Sequence, residues 1–440
     1  MPDRSGGPGS TKIPVVTAPD RTRAGRRLWR ALVLVLFLAL LLAVPTATPP
    51  RPPRLPPPRP ATLAPAAVLS GIERTGKVSI ARDCGFSAPL PAAPRRSLWL
   101  FCDTPVYVRN ANADGNAGWA LERFIPGSTA AVGPAVAGPD PQDRVPGPLS
   151  EVPAPAFDGP GARGSGEVRA AAGAPAPFLS APAGLATTFG LPCGVGGSYA
   201  ASWVSGVARM PSTPDLLVTF NNYCVLSGSG GFLHEGFGLA EYNPARHTLS
   251  DDVTVLDGVG LDTALSATPL GSPVFSGPYL YLFGSTCTAP RAGRCSGTVV
   301  QARVPANPAA WSDPLSYQWW STGPSGPWTS DAAAATSLIA GSKPSGVSVA
   351  DFAAVGRRFI LVEQTDIGGD FTVYQSSSPA GHWKKITSGR VPCRPGAGYA
   401  NFCRAIIGHP ELSTRTQLVL SYFDPVAEAY GHVMVAGYRW

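Results

Sequence analysis

The sequence predicts an all-β fold, a five-bladed β-propeller with four-stranded blades, because one strand–turn–strand pattern recurs five times. Each copy has alternating small and apolar residues, a short polar or Gly/Pro turn, and a strand rich in Leu, Val, Phe, Tyr and Trp, as in a β-hairpin. The copies span residues 84–104, 204–222, 270–286, 345–365 and 407–424. No long helical periodicity occurs after residue 50.

Weaker strands follow most of these hairpins, for example at residues 236–244 and 297–305. A hairpin with one or two outer strands is the content of one propeller blade, and blades stack radially around a channel. The first interval between hairpins is much longer than the others because it contains the Ala/Gly/Pro-rich residues 126–186. We expect this low-complexity insertion to carry little regular structure. A pair of all-β sandwiches is the alternative architecture.

The charge of the chain is concentrated at its N-terminus. The formal net charge is +7, but residues 1–60 hold ten basic and two acidic side chains, so the other residues sum to −1. Because the β domain has no basic excess, we expect no nucleic-acid partner. Gly (50 residues) and Pro (49 residues) make up about 22% of the chain, which suits short strands joined by turns.

One apolar run predicts export across a membrane. Ala31–Val44 contains fourteen uninterrupted apolar residues and follows three nearby arginines. This is shorter than the roughly 20 residues of an ordinary span and is typical of a signal-peptide core. Flanking apolar residues and a snorkelling arginine favour an uncleaved anchor, a transmembrane helix at residues 28–46. A cleaved signal and a buried soluble helix are the alternatives.

The positive-inside rule orients this single span with residues 1–27 as a basic cytoplasmic tail and the rest extracytoplasmic. The Pro-rich residues 47–67 predict an extended linker without a core. The β domain then occupies residues 68–440. The predicted location is the cell membrane, whereas a cleaved signal would make the protein secreted.

The eight cysteines are even in number and fit an exported domain. The simplest prediction is four disulfides that close short loops, although eight cysteines allow 105 connectivities. The predicted pairs are Cys84–Cys102, Cys193–Cys224, Cys287–Cys295 and Cys393–Cys403. No CxxC occurs and no cysteine lies at zinc-ligand spacing from a histidine, so we expect no metal site and no cofactor.

Two segments resemble the domain-of-unknown-function 4185 family. Residues 81–105 (ARDCGFSAPLPAAPRRSLWLFCDTP) are similar to its first blade, and residues 407–425 (IGHPELSTRTQLVLSYFDP) are similar to its closing His-Pro-Glu-Leu-Ser segment. The resemblance covers roughly residues 70–125 and 190–440. It implies a five-bladed propeller similar to sugar-cleaving propellers, among them endo-D-arabinofuranases that act on mycobacterial-type arabinan through acidic residues at the channel mouth.

The chain departs from the family pattern at two positions. Cys102 replaces the Gly of Gly-Asp-Thr, and Cys84 follows Asp83. If the two cysteines are bonded, their Cα atoms lie about 4.4–6.8 Å apart. The neighbouring Asp83 and Asp103 would then project away from the face that holds the sulfurs, so that two carboxyl groups lie close together at one strand end.

These two aspartates are the leading candidates for the carboxyl pair of a glycoside hydrolase. A retaining enzyme needs a separation of about 5–5.5 Å and an inverting one about 6.5–9.5 Å. Which of Asp83 and Asp103 is the acid cannot be read from the sequence. The resemblance suggests Glu411 as a third catalytic carboxylate. Capping of turn amides is the alternative for the aspartates, and a purely structural motif is the alternative for Glu411.

Four further side chains are candidate substrate-binding groups. The resemblance places His409 near the channel, and Asn222, Gln364 and Tyr422 occupy positions of later hairpins that correspond to Asp103. Hydrogen-bonding side chains at strand ends around a channel would hold sugar hydroxyls. The alternative is that these side chains are only solvated strand ends, which would give the same sequence pattern.

Two other features are weaker. His234 and Glu235 lie between glycines, in what we expect to be a loop over the channel. Trp319, Trp320 and Trp328 are of the type that stacks on sugar rings, although packing between blades is the commoner use.

The sequence therefore predicts a membrane-anchored extracytoplasmic propeller that binds or hydrolyses a cell-envelope polysaccharide of arabinan type. An enzymatic activity would be endo-acting and furanoside-directed. The alternative is a catalytically inert propeller that serves as a carbohydrate or protein interaction module of the envelope. We expect a monomer.

Overall fold

The computed structural model describes much of the predicted β domain. The described residues are 67–68, 77–110, 118–135, 149–158, 173–182, 185, 193–226, 231–250, 253–257, 269–286, 297–323, 326–395, 402–425 and 431–439. None of the helices in these ranges is long and apolar enough to cross a bilayer. The predicted anchor at residues 28–46 lies outside them.

The described residues are almost entirely in strands and turns. The first ten strands are β1 (Ala67–Val68), β2 (Val78–Ile80), β3 (Cys84–Leu90), β4 (Ala93–Phe101), β5 (Thr104–Arg109), β6 (Trp119–Ile125), β7 (Ser128–Pro134), β8 (Ser150–Glu151), β9 (Ala156–Asp158) and β10 (Pro177–Leu179). The next ten are β11 (Tyr199–Arg209), β12 (Leu216–Val225), β13 (Phe232–Asn243), β14 (Thr248–Ser250), β15 (Val253–Asp257), β16 (Leu270–Ser276), β17 (Tyr279–Ser285), β18 (Val299–Pro305), β19 (Gln318–Trp320) and β20 (Trp328–Thr329). The last are β21 (Gly346–Asp351), β22 (Phe359–Gln364), β23 (Asp370–Ser376), β24 (Lys384–Arg390), β25 (Arg404–Gly408), β26 (Gln417–Asp424) and β27 (His432–Arg439). The helical elements are α1 (Pro308–Trp311) and the 3-10 turns Pro314–Ser316, Ala332–Ala334 and Ala353–Val355.

In the part of the chain that the structure describes there are six sheets, and five of them begin with a hairpin that the sequence predicted. Sheet I has the order β3-β4-β7-β10, sheet II β11-β12-β13-β14-β9, sheet III β16-β17-β18-β19-β20, sheet IV β21-β22-β23-β24 and sheet V β25-β26-β27-β1. All of their ladders are antiparallel except the pairing of β9 with β14. The strand that opens each sheet, here called its first strand, is β3, β11, β16, β21 or β25.

The first strands form a closed ring. β3 contacts β11, which contacts β16, and the chain of contacts continues through β21 and β25 back to β3. Sheet V also joins both ends of the domain, since β1 pairs with β27 through Ala67↔Val435. The five sheets therefore have a propeller-like arrangement.

Each sheet buries both of its faces against its neighbours. On β4, Leu98 and Leu100 pack with sheet II, while Trp99 and Phe101 pack with sheet V. Successive side chains of a strand point to opposite faces, so a strand between two neighbouring sheets is apolar at most of its positions. This is why the second strand of each hairpin could be recognised in the sequence.

The interval 126–186 differs from its prediction. It contains β7, which is the third strand of sheet I, together with the short strands β8, β9 and β10. The first interval between hairpins is long because β5 and β6 pair with β2 in a separate three-stranded sheet before the chain returns to β7. β7 was missed because its sequence, STAAVGP, has little intrinsic strand preference, and pairing with β4 decides its conformation.

Three of the four predicted disulfides are present. Their Cα–Cα distances are 5.4 Å for Cys84–Cys102, 5.7 Å for Cys193–Cys224 and 6.0 Å for Cys393–Cys403. Cys287 and Cys295 lie outside the described residues. Disulfides persist in oxidising compartments, so these three indicate an extracytoplasmic protein.

Candidate functional site

Three first strands begin with polar side chains at the same end of the ring. Asp83 immediately precedes β3, Tyr199 opens β11, and Arg404 opens β25. Arg404 Nε donates to Asp83 Oδ2 at 2.6 Å, and the charges of Asp83 and Arg404 both act on the Tyr199 hydroxyl. We call this end of the ring the mouth.

Asp103 is the most enclosed carboxyl group at the mouth. It lies between β4 and β5, and its Oδ1 accepts hydrogen bonds from Gly127 N (2.9 Å) and Trp203 Nε1 (2.8 Å). Its Oδ2 accepts from the Tyr199 hydroxyl at 2.5 Å. Three donors, two from β11 and one from the turn between β6 and β7, therefore fix the position of this carboxyl group.

Burial dominates the electrostatics of Asp103. Desolvation raises its pKa from 3.8 to about 6, against the opposing effect of its hydrogen bonds, and the charge of Asp83 adds to the increase. Desolvation disfavours the charged form of a carboxyl group, as does a neighbouring like charge. Asp103 can thus carry a proton at mildly acidic pH.

Asp83 has a contrasting environment. Its Oδ2 forms the ion pair with Arg404, and its Oδ1 accepts a hydrogen bond from Cys84 N at 2.7 Å. The Arg404 guanidinium lies 3.9 Å from the centroid of the Phe423 ring, which holds it in place. The Asp83 carboxylate is therefore paired with a positioned cation, whereas Asp103 accepts only from uncharged donors.

The predicted Cys84–Cys102 disulfide is present at the end of the β3–β4 hairpin, next to Asp83 and Asp103 in the sequence. Cys102 N also donates to the Asp83 carbonyl at 3.0 Å. The register shifts after Cys84, where residue 84 has φ 66° and Gly85 has φ 104°. A Cβ at Gly85 would lie 2.8 Å from Val433 Cγ1, so glycine is required for this bulge.

Aromatic rings surround the donors to Asp103. Trp203 packs against Tyr223 (centroids 4.7 Å apart) and Phe232 (5.3 Å). Phe124 meets the Tyr199 ring edge-on at 5.2 Å. Asp103 therefore lies between two groups of aromatic side chains.

Glu411 and His409 lie away from the mouth. The Ser87 hydroxyl contacts both side chains, at 2.7 Å from His409 Nδ1 and in a short hydrogen bond to Glu411 Oε1. Ser87 follows Asp83 by four residues, on the other side of the bulge at Cys84 and Gly85. The structure thus brings Asp83 and Asp103 to one place and does not bring Glu411 to it.

Burial controls the titration of this inner pair. It lowers the pKa of His409 to about 3 and raises the pKa of Glu411. His409 Nε2 contacts Ser421 Oγ at 2.8 Å, whereas Glu411 Oε2 is buried with no hydrogen-bond partner among the described residues. The neutral imidazole, the enclosed carboxyl group and Ser87 form a buried polar network between sheets V and I.

We expect Glu411→Gln to make the free energy of unfolding less dependent on pH. A raised folded-state pKa contributes stability below the ordinary Glu value of about 4.5, and this contribution is lost as pH rises through the folded value. The variant should therefore gain stability relative to wild type as pH increases from 4 to 8, measured by denaturant unfolding. Glu122→Gln, at an exposed position, is the matched control, and identical pH curves for wild type and Glu411→Gln would contradict the assignment.

The predicted polar ring is inside the protein. Asn222, Gln364 and Tyr422 are 0%, 3% and 0% exposed, and His409 is likewise 0% exposed. Gln364 donates to two backbone carbonyls, while Asn222 accepts from the Ser202 hydroxyl at 2.6 Å. Asn222, Gln364 and Tyr422 lie on second strands, which pack on both sides, and His409 follows the first strand β25. All four side chains are therefore buried within the domain.

The weaker candidates have mixed positions. His234 lies on β13 in contact with Asn221 Oδ1 (2.9 Å) and with the Tyr223 ring, and Glu235 beside it is 4% exposed. Neither residue is in a loop. Trp319 is buried in the core between sheets II and III. This agrees with packing between blades, the commoner use of such a residue.

Tyr199, Trp203 and Arg404 are the residues of the mouth that sequence reasoning missed. Two sequence signals could have indicated them. Arg404 directly follows Cys403 at the start of a first strand, and Tyr199 and Trp203 are four residues apart and therefore on the same face of β11. In the described ranges, no group of three or more His, Cys, Asp or Glu side chains is arranged to hold a metal ion.

No protein-family model matches this chain, and no curated protein matches it by sequence. The resemblance to the domain-of-unknown-function 4185 family therefore stays a prediction.

Several solved structures are distantly similar. A candidate hydrolase from Bacteroides ovatus has a TM-score of 0.49 and 15% identity, covering 86% of this chain and 93% of its own. An exo-β-1,3-galactanase from Phanerochaete chrysosporium has a TM-score of 0.37 and 11% identity, covering 87% and 64%. An exo-1,5-α-L-arabinanase from a bovine ruminal metagenomic library has a TM-score of 0.34 and 10% identity, covering 81% and 92%. Since these TM-scores lie below 0.5, the chemistry must be judged from this chain's own residues.

Proposed function

We propose that this chain is a glycoside hydrolase on a five-bladed β-propeller, with Asp103 and Asp83 as its two catalytic carboxyl groups. One observation carries the proposal: at the mouth, a buried carboxyl group with a pKa of about 6 lies within electrostatic range of a second one paired with Arg404. Glycoside hydrolysis needs a protonated carboxylic acid and a carboxylate. Two carboxyl groups in contrasting environments can supply both roles.

In this proposal Asp103 is the general acid. Its proton passes to the glycosidic oxygen as the bond to the anomeric carbon breaks, so the leaving sugar departs as an alcohol and Asp103 becomes a carboxylate. The donors Tyr199, Trp203 and Gly127 then stabilise the charge that develops on Asp103.

Asp83 is the second carboxylate. It either accepts a proton from the water that attacks the anomeric carbon or attacks that carbon itself, and the separation of the two carboxyl groups under substrate decides between these routes. Arg404 positions Asp83 through the 2.6 Å contact. Its guanidinium is held in turn over the Phe423 ring.

We propose an arabinan-like polysaccharide of the cell envelope as the substrate. The resemblance of residues 81–105 and 407–425 to a family with arabinan-cleaving members supports this choice, as do the disulfides of an exported domain. Residues 28–46 would anchor the enzyme with the propeller on the outer side of the membrane, which keeps it beside such a polymer.

The experiment is incubation of the purified full-length chain, in detergent, with arabinan, galactan and starch. We expect new reducing ends from arabinan. The absence of new reducing ends from arabinan and galactan overturns the proposal. Binding of either polymer without cleavage would instead identify an inert interaction module.

A further inference from the structure

Exposed apolar side chains collect around the mouth. Large exposed hydrophobic residues in the described ranges include Phe232 (51%) and Phe124 (39%), with Leu121 and Val195 on the same or adjoining segments. Leu121 and Phe124 are on β6, Val195 is in the turn that leads to Tyr199, and Phe232 opens β13. Contiguous exposed apolar surface that is rimmed by polar residues can mark a ligand-binding groove.

Each of the two phenylalanines packs on a different hydrogen-bond donor to Asp103. Phe124 contacts Tyr199, which donates to Oδ2, and Phe232 contacts Trp203, which donates to Oδ1. The two donors are four residues apart on one face of β11, and they reach the two different oxygens of Asp103. The acid is therefore bracketed by two separate aromatic groups.

The contacts leave part of both phenyl rings open to solvent. Phe124 meets Tyr199 with an interplanar angle of 82°, and Phe232 meets Trp203 at 73° and Tyr223 at 82°. Edge-to-face packing fixes a ring without covering it completely. Phe124 and Phe232 both lie on strands. The Cys193–Cys224 disulfide also links the turn before Tyr199 to β12, next to Tyr223.

We infer that Phe124 and Phe232 are two sugar-stacking platforms of one glycan-binding cleft, which holds a polysaccharide chain on both sides of Asp103. The apolar C–H face of a furanose or pyranose ring covers an aromatic face, and the polar edges of the sugar stay solvated. This inference rests on the proposed function for the role of Asp103. Its consequence is that the chain is bound across the acid, so cleavage is internal to the polymer.

Binding is the test that does not depend on turnover. Linear arabinan oligosaccharides of increasing length are titrated into the full-length chain carrying Asp103→Asn, alone or combined with Phe124→Ala or Phe232→Ala. Each alanine variant should weaken binding of long oligosaccharides about tenfold, the usual loss for an exposed aromatic anchor. Leu315→Ala, at an 89% exposed site on a distant 3-10 turn, is the matched control and should bind normally.

Affinity should also rise with chain length until both platforms are occupied. Thermal unfolding of each variant establishes that the fold is intact. If folded Phe124→Ala or Phe232→Ala binds long oligosaccharides as tightly as the Asp103→Asn parent, or if that parent does not bind them, the inference is overturned. If binding depends on both phenylalanines but the wild-type chain releases no reducing ends, the proposed hydrolase activity is wrong. The inferred glycan-binding cleft is then still supported.

The products give an independent readout. With the wild-type chain, early digests of arabinan should contain a spread of intermediate lengths. Release of only the terminal sugar or disaccharide would show that the chain does not extend past the acid in both directions, and it would overturn the inference while leaving hydrolysis intact.

Discussion

Asp103→Asn is expected to lower the rate of arabinan hydrolysis by about 10²- to 10⁴-fold, the usual contribution of a general acid. The amide cannot donate a proton to the leaving oxygen. It can still accept from Gly127 N and Trp203 Nε1, and its NH₂ group can donate to the Tyr199 hydroxyl, so the local geometry is kept. Initial rates of reducing-end release measure the effect.

The same substitution should stabilise the protein at neutral pH. The pKa of Asp103 is raised from 3.8 to about 6, so its contribution to stability is present below about pH 4 and is lost as pH rises past 6. Removal of the titrating group should therefore increase the free energy of unfolding at pH 8 by at most about 3 kcal/mol, with little gain at pH 4. A gain in stability with a loss of activity is typical of an active-site residue.

Asp331→Asn is the matched control for Asp103→Asn. Asp331 caps a distant 3-10 turn by accepting from Ala333 N at 2.8 Å, and asparagine caps such a turn equally well. The control should retain both activity and stability. Full activity of Asp103→Asn would remove the acid from the proposal, whatever its effect on stability.

Removal of the Cys84–Cys102 disulfide is the second change with a large expected effect. The bond closes a sequence separation of 18 residues, for which the loss of unfolded-state constraint costs about 3 kcal/mol. We expect the double variant Cys84→Ser, Cys102→Ser to lose this much stability and also most of its activity, because both catalytic candidates are sequence neighbours of the bond. Denaturant unfolding and initial rates are measured on the same sample.

Removal of the Cys393–Cys403 bond is the control that separates the loss of stability from the loss of activity. This bond closes a comparable separation of 10 residues, so Cys393→Ser with Cys403→Ser should cost similar stability, about 2.7 kcal/mol. Its effect on kcat should be smaller, although Arg404 follows Cys403. Equal losses of kcat in folded samples of both double variants would show that the first bond only stabilises the domain.

The hairpins could be predicted because their second strands are buried on both faces. Strand β22 (FILVEQ) and strand β17 (YLYLFGS) are nearly continuous apolar runs, which no loop would expose. β7 could not be predicted in this way, because its small residues acquire strand structure only by pairing with β4. Local patterns reveal strands whose own side chains fill the core and miss those that depend on a partner.

The site was predictable only in part, for a related reason. Asp83 and Asp103 were recognised because a local cysteine pair marks both positions. Tyr199 and Arg404 come from other sheets, and only closure of the ring brings them to the same mouth. Conversely, Asn222 and Tyr422 match Asp103 by position in the hairpin, but their side chains are buried between sheets. Register within a repeat does not by itself determine which face a side chain occupies.

The dependence of kcat/KM on pH tests the central claim most directly, because it reports the titration of the free enzyme. With Asp103 as an acid of pKa about 6, kcat/KM for arabinan should fall as pH rises above about 6. Above about pH 6, kcat/KM should fall tenfold for each pH unit. A profile that stays level from pH 5 to pH 8, or rises across that range, would contradict the assignment of Asp103 as the protonated partner of Asp83.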